Sequence, residues 1–385
     1  MFDGAGWKRP GLVGLAPRCI VNGRPDFARI DAELASRYVP DSDGRTGLAI
    51  LLDYEGTGMQ AFAVNASVVP EGGSRWRLTA ASDAELDRWS ARLIGEPGAK
   101  EASPALASDP TTSLPRDRYV DAVRRLQGWI GEGYLYQANL CQRFDAGYSG
   151  DPLAYHRRLA ALLPAPRSAF MAVDGRSIAS LSPETFVTVD RGVIETLPIK
   201  GTRPRYDDPE DDRRAAEELI ASAKDGAELL MIVDLERNDL GRICRTGSIE
   251  VPELAELASY PTVHHLVARV RGVLKEATAF STMVRAICPG GSITGAPKES
   301  AMERIRRVEP VPRGPFTGSL FWCGDDGSID SSILIRTAVF GRDRVHVGAG
   351  GGIVADSEPD AEWAESNHKA RALTEALGFQ PEDLS

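Results

Sequence analysis

Cysteine and histidine are scarce in this sequence, and neither is spaced as a metal site requires. Each occurs five times in 385 residues, and the cysteines (Cys19, Cys141, Cys244, Cys288 and Cys323) form no CxxC pair. Because zinc sites use closely spaced Cys and His ligands, we expect no zinc centre. An odd number of scattered cysteines is typical of reduced thiols, which predicts a cytoplasmic protein.

Long hydrophobic runs and an excess of positive charge are also absent. No apolar run reaches the roughly 18 residues of a membrane-spanning helix, and the opening MFDGAGWK does not resemble a signal peptide. The formal net charge is −10 at pH 7, and 42% of the residues are hydrophobic. This apolar content is enough for one large core or two ordinary ones. An acidic surface suits neither nucleic acid nor an anionic membrane, so we expect neither as a partner.

The glycine-rich segments lack the spacing of nucleotide-binding loops. In residues 289–298 (PGGSITGAPK), Ala-Pro separates the last glycine from the lysine and no Ser or Thr follows, so this is not a P-loop. Residues 347–354 (VGAGGGIV) lack the G-x-G-x-x-G spacing that leads into a helix. Their glycines could form a nest of backbone amides around an anion, or a tight strand-to-loop turn.

Periodicity and composition separate an N-terminal region from a longer C-terminal one. In the first, we predict helices at 26–38 and 82–93 and a buried strand at 46–54. Residues 95–114 are rich in Pro, Ala, Ser and Gly, which predicts a linker.

The C-terminal region alternates strands with long helices, which predicts a mixed α+β fold. Strands are expected at 134–140, 168–173, 177–181, 185–189 and 193–197. Helices are expected at 117–130, from the acidic run 207–212 to about 224, at 224–242 and at 358–377.

Two of these helices each carry a pair of carboxylates. Asp225 and Glu228 are three residues apart, as are Glu362 and Glu365 in the last helix, for which Ser357 is the expected N-cap. Residues at this spacing share a helical face, where two carboxylates repel each other unless water or a cation screens them. Each pair alone suits an exposed acidic face. If the pairs converge, they form an all-oxygen site of the kind that binds Mg²⁺.

Two cations stand next to apolar runs. Lys200 lies in LPIKGTRPR (197–205), and Arg336 follows the apolar strand predicted at 333–335. Either could be solvated or paired internally, and either could meet an anionic substrate. Gln137, on the strand predicted at 134–140, needs partners if it is buried, so it is either structural or directed into a site.

Nine short motifs then occur in the order found in the chorismate-utilising enzymes, over residues 114–377. They are YQANL (136–140), SPE (182–184), PIKGT (198–202), AE through GR (227–242), HHL (264–266), GAPK (295–298), IRT (335–337), GAGGG (348–352) and EWAESNHK (362–369). Each is weak alone, but together and in order they are specific, and the sequence resembles this family. The resemblance implies two packed, mostly antiparallel sheets ringed by helices, with the site in a cleft between them.

Family resemblance also implies a division of the chain into two regions. Residues 1–110 would be an N-terminal region with a regulatory or glutaminase-contact role, and residues 111–385 would be the chorismate-binding catalytic region, interleaved into one compact unit.

Two positions distinguish the members of this family. Members that add water have a lysine base where this chain has Gln137, and a neutral amide cannot take a proton. Members that form anthranilate typically have alanine where this chain has Lys200, whereas PIKGT is typical of members that aminate chorismate at C4. The resemblance therefore implies C4 amination with ammonia. Anthranilate formation is the alternative, and a non-catalytic subunit that binds chorismate or an amino acid is a more remote one.

The resemblance assigns roles to individual residues. Lys200 is expected to attack ring C2, Glu184 to protonate the departing C4 hydroxyl, and His265 either to contact the leaving group or to be a packed structural residue. The expected Mg²⁺ ligands are Glu228 and Glu365, with Glu362 and Asp225 nearby. The expected substrate contacts are Gln137, Thr202, Thr294, Lys298, Arg336, Gly350, Gly351, Gly352 and Lys369.

Two further features bear on this expectation. The chain has no Gly-x-Cys-x-Gly segment of a glutaminase, so we expect ammonia from a separate glutamine amidotransferase subunit or from free ammonium. No length remains for a lyase domain, so the aminated chorismate is the expected product. Where the family has Gly-Tyr, this chain has Phe321 and Trp322, which predicts the loss of a tyrosine contact to the substrate.

Overall fold

The six helices predicted from the sequence are present in the computed structural model, and the described residues include three further helices that were not predicted. The structure describes residues 13–14, 18–40, 42–72, 75–93, 105–106, 110–173, 175–260 and 263–384. Its helices are α1 Phe27–Arg37, α2 Asp83–Leu93, α3 Arg116–Gly131, α4 Pro152–Leu162, α5 Pro209–Ala221, α6 Ala223–Gly241, α7 Phe280–Ile287, α8 Lys298–Val308 and α9 Pro359–Glu375, with 3₁₀ turns at Gly291–Ile293 and Pro381–Leu384. Ser222 separates α5 from α6 because its side chain accepts a hydrogen bond from the Asp225 amide and caps the second helix.

The strands are short in the N-terminal part and longer around the cleft. In chain order they are β1 Val13–Gly14, β2 Arg18–Gly23, β3 Gly47–Leu52, β4 Met59–Val64, β5 Ala66–Gly72, β6 Arg75–Ala80, β7 Ala105–Leu106, β8 Thr111–Thr112, β9 Gln137–Ser149, β10 Arg167–Val173, β11 Arg176–Ser182, β12 Thr185–Asp190, β13 Val193–Thr196, β14 Ile199–Pro204, β15 Glu250–Ser259, β16 Val263–Val273, β17 Gly295–Ala296, β18 Ser319–Gly324, β19 Ile329–Ile333, β20 Thr337–Phe340 and β21 Arg344–Ile353. The strands predicted from the sequence are present except at 333–335, where only Ile333 belongs to a strand, and the one expected at 134–140 begins later and is much longer.

Most strands belong to two large antiparallel sheets. One sheet has the order β10-β11-β20-β21-β9-β17, with β7 and β8 also paired to β9. The other has the order β14-β16-β13-β12-β19-β18-β3-β4-β2, with β15 paired to β16, and a small sheet has the order β1-β5-β6. The α+β fold with two mostly antiparallel sheets is thus confirmed.

Strands from both sides of residue 110 share the second large sheet. Strand β3 pairs with β18 along its whole length, and all six of its residues are buried, as expected for a strand covered on both faces. Of the predicted linker 95–114, residues 95–104 and 107–109 lie outside the described residues. Strands β7 and β8 in the same stretch pair with β9. The first 110 residues therefore contribute to the same sheet as the catalytic region.

The sequence suggested either an anion-binding nest or a tight turn at residues 348–352. The structure instead places this glycine stretch in strand β21. It pairs with β9 throughout, whereas its pairing with β20 ends at Val347. Glycine is required because a Cβ at Gly350 would lie 2.1 Å from the Leu140 carbonyl oxygen, and one at Gly352 would lie 2.3 Å from Gln137 Nε2. The close approach of β9 and the bare second edge of β21 together shape one wall of a cavity.

Candidate active site

A cavity of about 220 Å³ lies where the two large sheets meet. Strands β9 and β21 of one sheet and β14 of the other line it, together with the segments before β12 and β20. Its charged lining residues are the cations Lys200, Arg336 and Lys369 and the acid Glu184. Three cations against one carboxylate, beside the small glycine side of β21, suit a compact substrate that carries more than one negative charge.

Glu184 is buried in the wall of this cavity. Its Oε1 accepts a hydrogen bond from Ser292 Oγ at 2.6 Å, and its backbone amide donates to Ser182 Oγ at 3.1 Å. Burial raises the pKa of the Glu184 carboxyl, against the opposing effects of Ser292 and of the Lys200 charge. A buried carboxyl with a raised pKa can hold a proton near neutral pH and donate it to a leaving group.

Lys200 enters the cavity from strand β14. Within the described part of the chain, its ammonium forms no ion pair and no hydrogen bond to a side chain. Burial lowers the pKa of Lys200, while the carboxylates of Glu184 and Glu228 act in the opposite direction. A lysine whose amine loses its proton more readily is a better nucleophile. The sequence left open that Lys200 is a solvated lysine at the end of a strand. In the structure it is instead enclosed in the cavity.

Arg336 lies between β19 and β20 with its backbone in the left-handed region, at φ 50°. The conformation is fixed in part because the Leu181 amide donates to the Arg336 carbonyl at 3.0 Å. Among the described residues the guanidinium has no ion pair, and burial lowers its pKa. An internal ion pair, the alternative left open by the sequence, is not formed, and the side chain is available for a substrate carboxylate.

His265 and Thr202 form a contact next to the cavity without lining it. They are paired across β14 and β16, and His265 Nδ1 lies 3.1 Å from Thr202 Oγ1 and 3.0 Å from the Gly201 carbonyl oxygen. Because a carbonyl only accepts, Nδ1 carries the proton and Nε2 is the acceptor. Burial lowers the pKa of His265, opposed by the bond to Gly201 and assisted by the charge of Arg336. The imidazole is thus held neutral beside the site.

The four carboxylates predicted as metal ligands come from α6 and α9, and these helices do bring their charges together. Burial raises the pKa of Glu228, and the charges of Asp225 and Glu365 add to that effect. Burial also raises the pKa of Glu362, and Glu365 adds to it. A Cβ at Gly351 would lie 3.3 Å from Glu362 Oε2 and 3.8 Å from Glu365 Oε1, so these acids border the glycine wall of the cavity.

Several of these carboxylates have protein partners. Glu365 pairs with Lys369 at 2.6 Å, and although burial acts to raise its pKa, the lysine lowers it. Asp225 pairs with Arg203 at 3.3 Å. Ser357 is not the N-cap of α9, since Glu358 holds that position; its hydroxyl donates instead to Glu362 at 2.7 Å.

The donor chemistry of this group fits Mg²⁺, but the side chains are not gathered into a finished metal cage. In the described ranges, no three Cys, His, Asp or Glu side chains form a ready cluster for a metal ion. The ligands are all oxygens, and their mutual repulsion would be relieved by a divalent cation. Mg²⁺ commonly takes only one or two carboxylates and completes its shell with water and substrate, which suits an incomplete set.

Besides Thr202, three of the expected substrate contacts do not line the cavity. Lys298 forms an ion pair with Asp239, and its Nζ donates a hydrogen bond to the Ile287 carbonyl at 3.0 Å. Thr294 is buried and donates to the Gly290 carbonyl at 2.9 Å. Gln137 is buried behind Gly352. Lys298 and Thr294 are held by protein partners, while Gln137 Oε1 is buried without a hydrogen-bond partner among the described residues. Arg336, Lys369 and the glycines of β21 do line the cavity.

The Phe321–Trp322 pair lies in the sheet rather than in the cavity. Trp322 is buried, and its Nε1 donates to the Gly44 carbonyl at 3.0 Å. Phe321 packs edge-to-face on Phe186 and Phe280. Neither residue lines the cavity. The position where the sequence predicted the loss of a tyrosine contact is therefore not in the cavity wall.

Sequence reasoning missed two residues that shape the cavity. Ser292, which holds Glu184, lies in the glycine-rich segment that the sequence suggested only as a failed phosphate loop. Phe316 fills the space beside Gly348, where a Cβ would lie 2.2 Å from the ring. The glycine at 348 was the only available signal for such a close ring contact, and it did not identify the partner.

This chain belongs to the chorismate-binding enzyme family, whose profile matches residues 61–375. It is 45% identical over 272 residues to aminodeoxychorismate synthase component 1 from Escherichia coli, covering 71% of this chain and 60% of that protein. It is 39% identical over 268 residues to anthranilate synthase component 1 from Saccharolobus solfataricus, covering 70% of this chain and 64% of that protein. The chain thus spans less than two thirds of the length of these relatives.

Solved structures share the fold over nearly the whole chain. Anthranilate synthase component I from Streptococcus pneumoniae aligns with a TM-score of 0.83 at 26% identity, covering 94% of this chain and 91% of that one. The menaquinone-specific isochorismate synthase of Escherichia coli aligns with a TM-score of 0.79 at 18% identity, covering 96% and 87%, which shows a common fold. Each described helix is too short or too polar to cross a membrane.

Proposed function

We propose that this protein aminates chorismate at C4 and forms 4-amino-4-deoxychorismate, for para-aminobenzoate and folate synthesis. The observation that carries the proposal is Lys200, a lysine with a lowered pKa and no ion-pair partner among the described residues, in a cavity that also holds the buried acid Glu184. The sequence identities support this choice of reaction. The chain is 45% identical to an aminodeoxychorismate synthase component 1 and 39% identical to an anthranilate synthase component 1.

The charges of the cavity match the substrate. Chorismate carries two carboxylates, and the cavity presents Lys200, Arg336 and Lys369. Arg336 can bind one carboxylate through two parallel hydrogen bonds. The edge of β21 that no strand covers beyond Val347 offers backbone groups to the same substrate.

In the proposed reaction, Lys200 and Glu184 act together. The neutral amine of Lys200 attacks ring C2 while the C4–oxygen bond breaks, and Glu184 gives its proton to the departing hydroxyl, which leaves as water. Ammonia then adds at C4, the ring double bonds shift back and the C2–nitrogen bond to Lys200 breaks. The ammonia nitrogen gives up one proton, which restores the acid form of Glu184.

The carboxylates of α6 and α9 would hold Mg²⁺. Glu228 and Glu365 are the proposed ligands, with Glu362 and Asp225 nearby. Lys369 would then exchange its ion pair with Glu365 for one with a substrate carboxylate. When bound, the metal would neutralise a substrate carboxylate and fix its orientation. We expect ammonia from a separate glutamine amidotransferase subunit, and the relatives' designation as component 1 supports a second component.

Product analysis tests the proposed reaction. The protein is incubated with chorismate, Mg²⁺ and ammonium, and the products are separated and identified by mass. We expect 4-amino-4-deoxychorismate. Anthranilate formed without an added lyase would instead establish the reaction of the second group of relatives, and no turnover with tight chorismate binding would indicate a binding subunit.

The metal assignment is tested by Glu228→Gln, compared with Asp234→Asn on the same helix. Asp234 is exposed and paired with Arg237. We expect the Mg²⁺ concentration for half-maximal rate to rise about 10-fold or more in E228Q and to stay unchanged in D234N. An unchanged Mg²⁺ dependence in E228Q would contradict the assignment.

A further inference from the structure

A second acid, Glu236, lies two turns after Glu228 on α6. Thr196 hydrogen-bonds its carboxyl group, but Glu236 Oε2 is buried and has no hydrogen-bond partner among the described residues. Thr196 itself is 3% exposed. A buried polar atom without a partner is costly and uncommon in folded proteins, so this oxygen needs a physical account.

Glu236 lines a cavity of about 10 Å³, which is about the space of one water molecule. Gly291 lines this small cavity, whereas the next residue, Ser292, lines the large one and donates to Glu184. Likewise, Phe186 lines the small cavity and Glu184 the large one. Neighbouring residues of these two segments thus line the two cavities, with Glu236 on the side of the small one and close enough to the Glu184 carboxylate for that charge to raise its pKa.

The charged groups around Glu236 come from four elements. Burial raises the pKa of Glu236 to about 8, and the carboxylates of Glu184 and Asp239 add to this, while Thr196 and Lys298 oppose it. Lys298 is already paired with Asp239. Lys200 also interacts with Glu236, which acts to raise the pKa of the lysine. Glu236 is therefore protonated at neutral pH.

We propose that Glu236 is a positioning residue that carries a proton near the Glu184–Ser292 pair, so that Glu184 can ionise without facing a second buried carboxylate. Two neighbouring carboxylates in a poorly solvated site do not ionise together without a large cost. An ionised Glu236 would hold the proton on Glu184 and also on Lys200, which hinders proton donation by Glu184 and formation of the neutral Lys200 amine. This inference rests on the proposed function of Lys200 and Glu184.

The test compares Glu236→Gln with Asp234→Asn on the same helix. The rate of C4 amination is measured from pH 6.5 to 9.5 with saturating chorismate and Mg²⁺ and a constant concentration of free ammonia. In the wild type and in D234N, kcat should fall above about pH 8. In E236Q the amide keeps the shape and the bond to Thr196 but has no proton to lose, so this fall should disappear. An unchanged fall in E236Q, or an equal loss of rate at every pH, would overturn the inference.

A stability measurement separates this inference from the proposed function. Because the pKa of Glu236 is raised in the folded state, folded protein holds a proton that unfolded protein has lost, from the ordinary carboxyl range up to about pH 8. Wild-type stability should fall across this range relative to E236Q. If that occurs and no aminated product forms, the proposed reaction is wrong, whereas the protonation of Glu236 in the folded state is supported. If the product forms and the two stability curves run parallel, the Glu236 inference fails.

Discussion

Lys200 shows how burial converts a common residue into a reactive one. Its strand-end position in PIKGT fits a solvated lysine equally well, and only the fold encloses it with Glu184 and leaves its amine without an ion-pair partner in the part of the chain that the structure describes. The lowered pKa of the amine costs stability, because the folded state holds the lysine proton less tightly than the unfolded state. The residue that carries the proposed chemistry is thus one that a stability optimum would replace.

This cost predicts the behaviour of Lys200→Met. Unfolded protein binds the lysine proton up to the ordinary pKa of 10.5, while the folded state releases it at lower pH. Wild-type stability should therefore rise with pH relative to K200M, and the advantage of K200M should be largest near neutral pH and shrink toward pH 10. Urea unfolding between pH 7 and 10 measures it, with the exposed Lys275→Met as control. A stability difference that does not change with pH would refute the lowered pKa.

The role of Glu184 as proton donor predicts a large effect of Glu184→Gln on catalysis. The amide oxygen can still accept the bond from Ser292, but the side chain has no proton for the departing hydroxyl. We expect kcat to fall by about 10²- to 10⁴-fold, with chorismate affinity little changed, as measured by steady-state kinetics and by equilibrium binding. A rate within a few-fold of wild type would remove Glu184 from the mechanism.

At the scale of elements, strand β21 builds the site through the side chains it lacks. Gly348, Gly350 and Gly352 let Phe316, strand β9 and Gln137 approach, so three glycines that resembled an anion-binding loop are packing features of an extended strand. The sequence GAGGG at 348–352 has no periodicity that distinguishes a strand from a loop. Only the pairing with β9, more than 190 residues earlier in the chain, decides between them.

Substitution in this strand has a matched control elsewhere. In Gly350→Ala the new Cβ would lie 2.1 Å from a backbone oxygen, so the paired strands must separate. We expect the free energy of unfolding to fall by about 1–3 kcal/mol, measured by chemical denaturation. In Gly128→Ala, inside α3, nothing lies within 4 Å of the new atom, and stability should rise by up to about 1 kcal/mol. Equal effects of the two changes would contradict this account of the strand.

The sequence predicted six of the nine described helices and the strands β3 and β9 to β13, because their periodicity is local, whereas α4, α7, α8 and the remaining strands were not predicted. Helix α6, predicted at 224–242, is observed at Ala223–Gly241 with the predicted Asp225–Glu228 pair on it, and the predicted pair on α9 is likewise present. Their convergence was not, since it depends on how two helices over 100 residues apart pack around β14 and β21. The same limit applied to Lys298, whose motif suggested a substrate contact. A buried partner, Asp239, lies 59 residues away and engages the lysine instead.

At the scale of the whole molecule, the N-terminal strands complete the sheet on which the site is built. Arg37 at the end of α1 joins this part to the hairpin after β18: its Nε and Nη2 donate to Asp325 at 2.8 and 2.9 Å. Thr46 Oγ1 donates to the same carboxylate at 2.6 Å. Since β3 is hydrogen-bonded to β18, loosening this junction should affect the stability of the entire sheet.

We therefore expect Arg37→Ala to destabilise the whole protein. Removing the guanidinium leaves the buried Asp325 charge without its cation, which costs roughly 3 kcal/mol. Arg213 is exposed and pairs with Glu210 and Glu217 on α5, so Arg213→Ala should cost less than about 1 kcal/mol. Unfolding should remain a single transition in R37A. A separate early transition of the N-terminal part would show that it folds independently of the catalytic region.

The most direct test of the account is the amination rate of Lys200→Ala with chorismate, Mg²⁺ and saturating ammonium. If Lys200 is the nucleophile that opens C4 to ammonia, formation of 4-amino-4-deoxychorismate should fall by at least about 10²-fold, in a variant that folds and binds chorismate. Formation of this product at the wild-type rate would contradict the central claim that Lys200 carries the reaction.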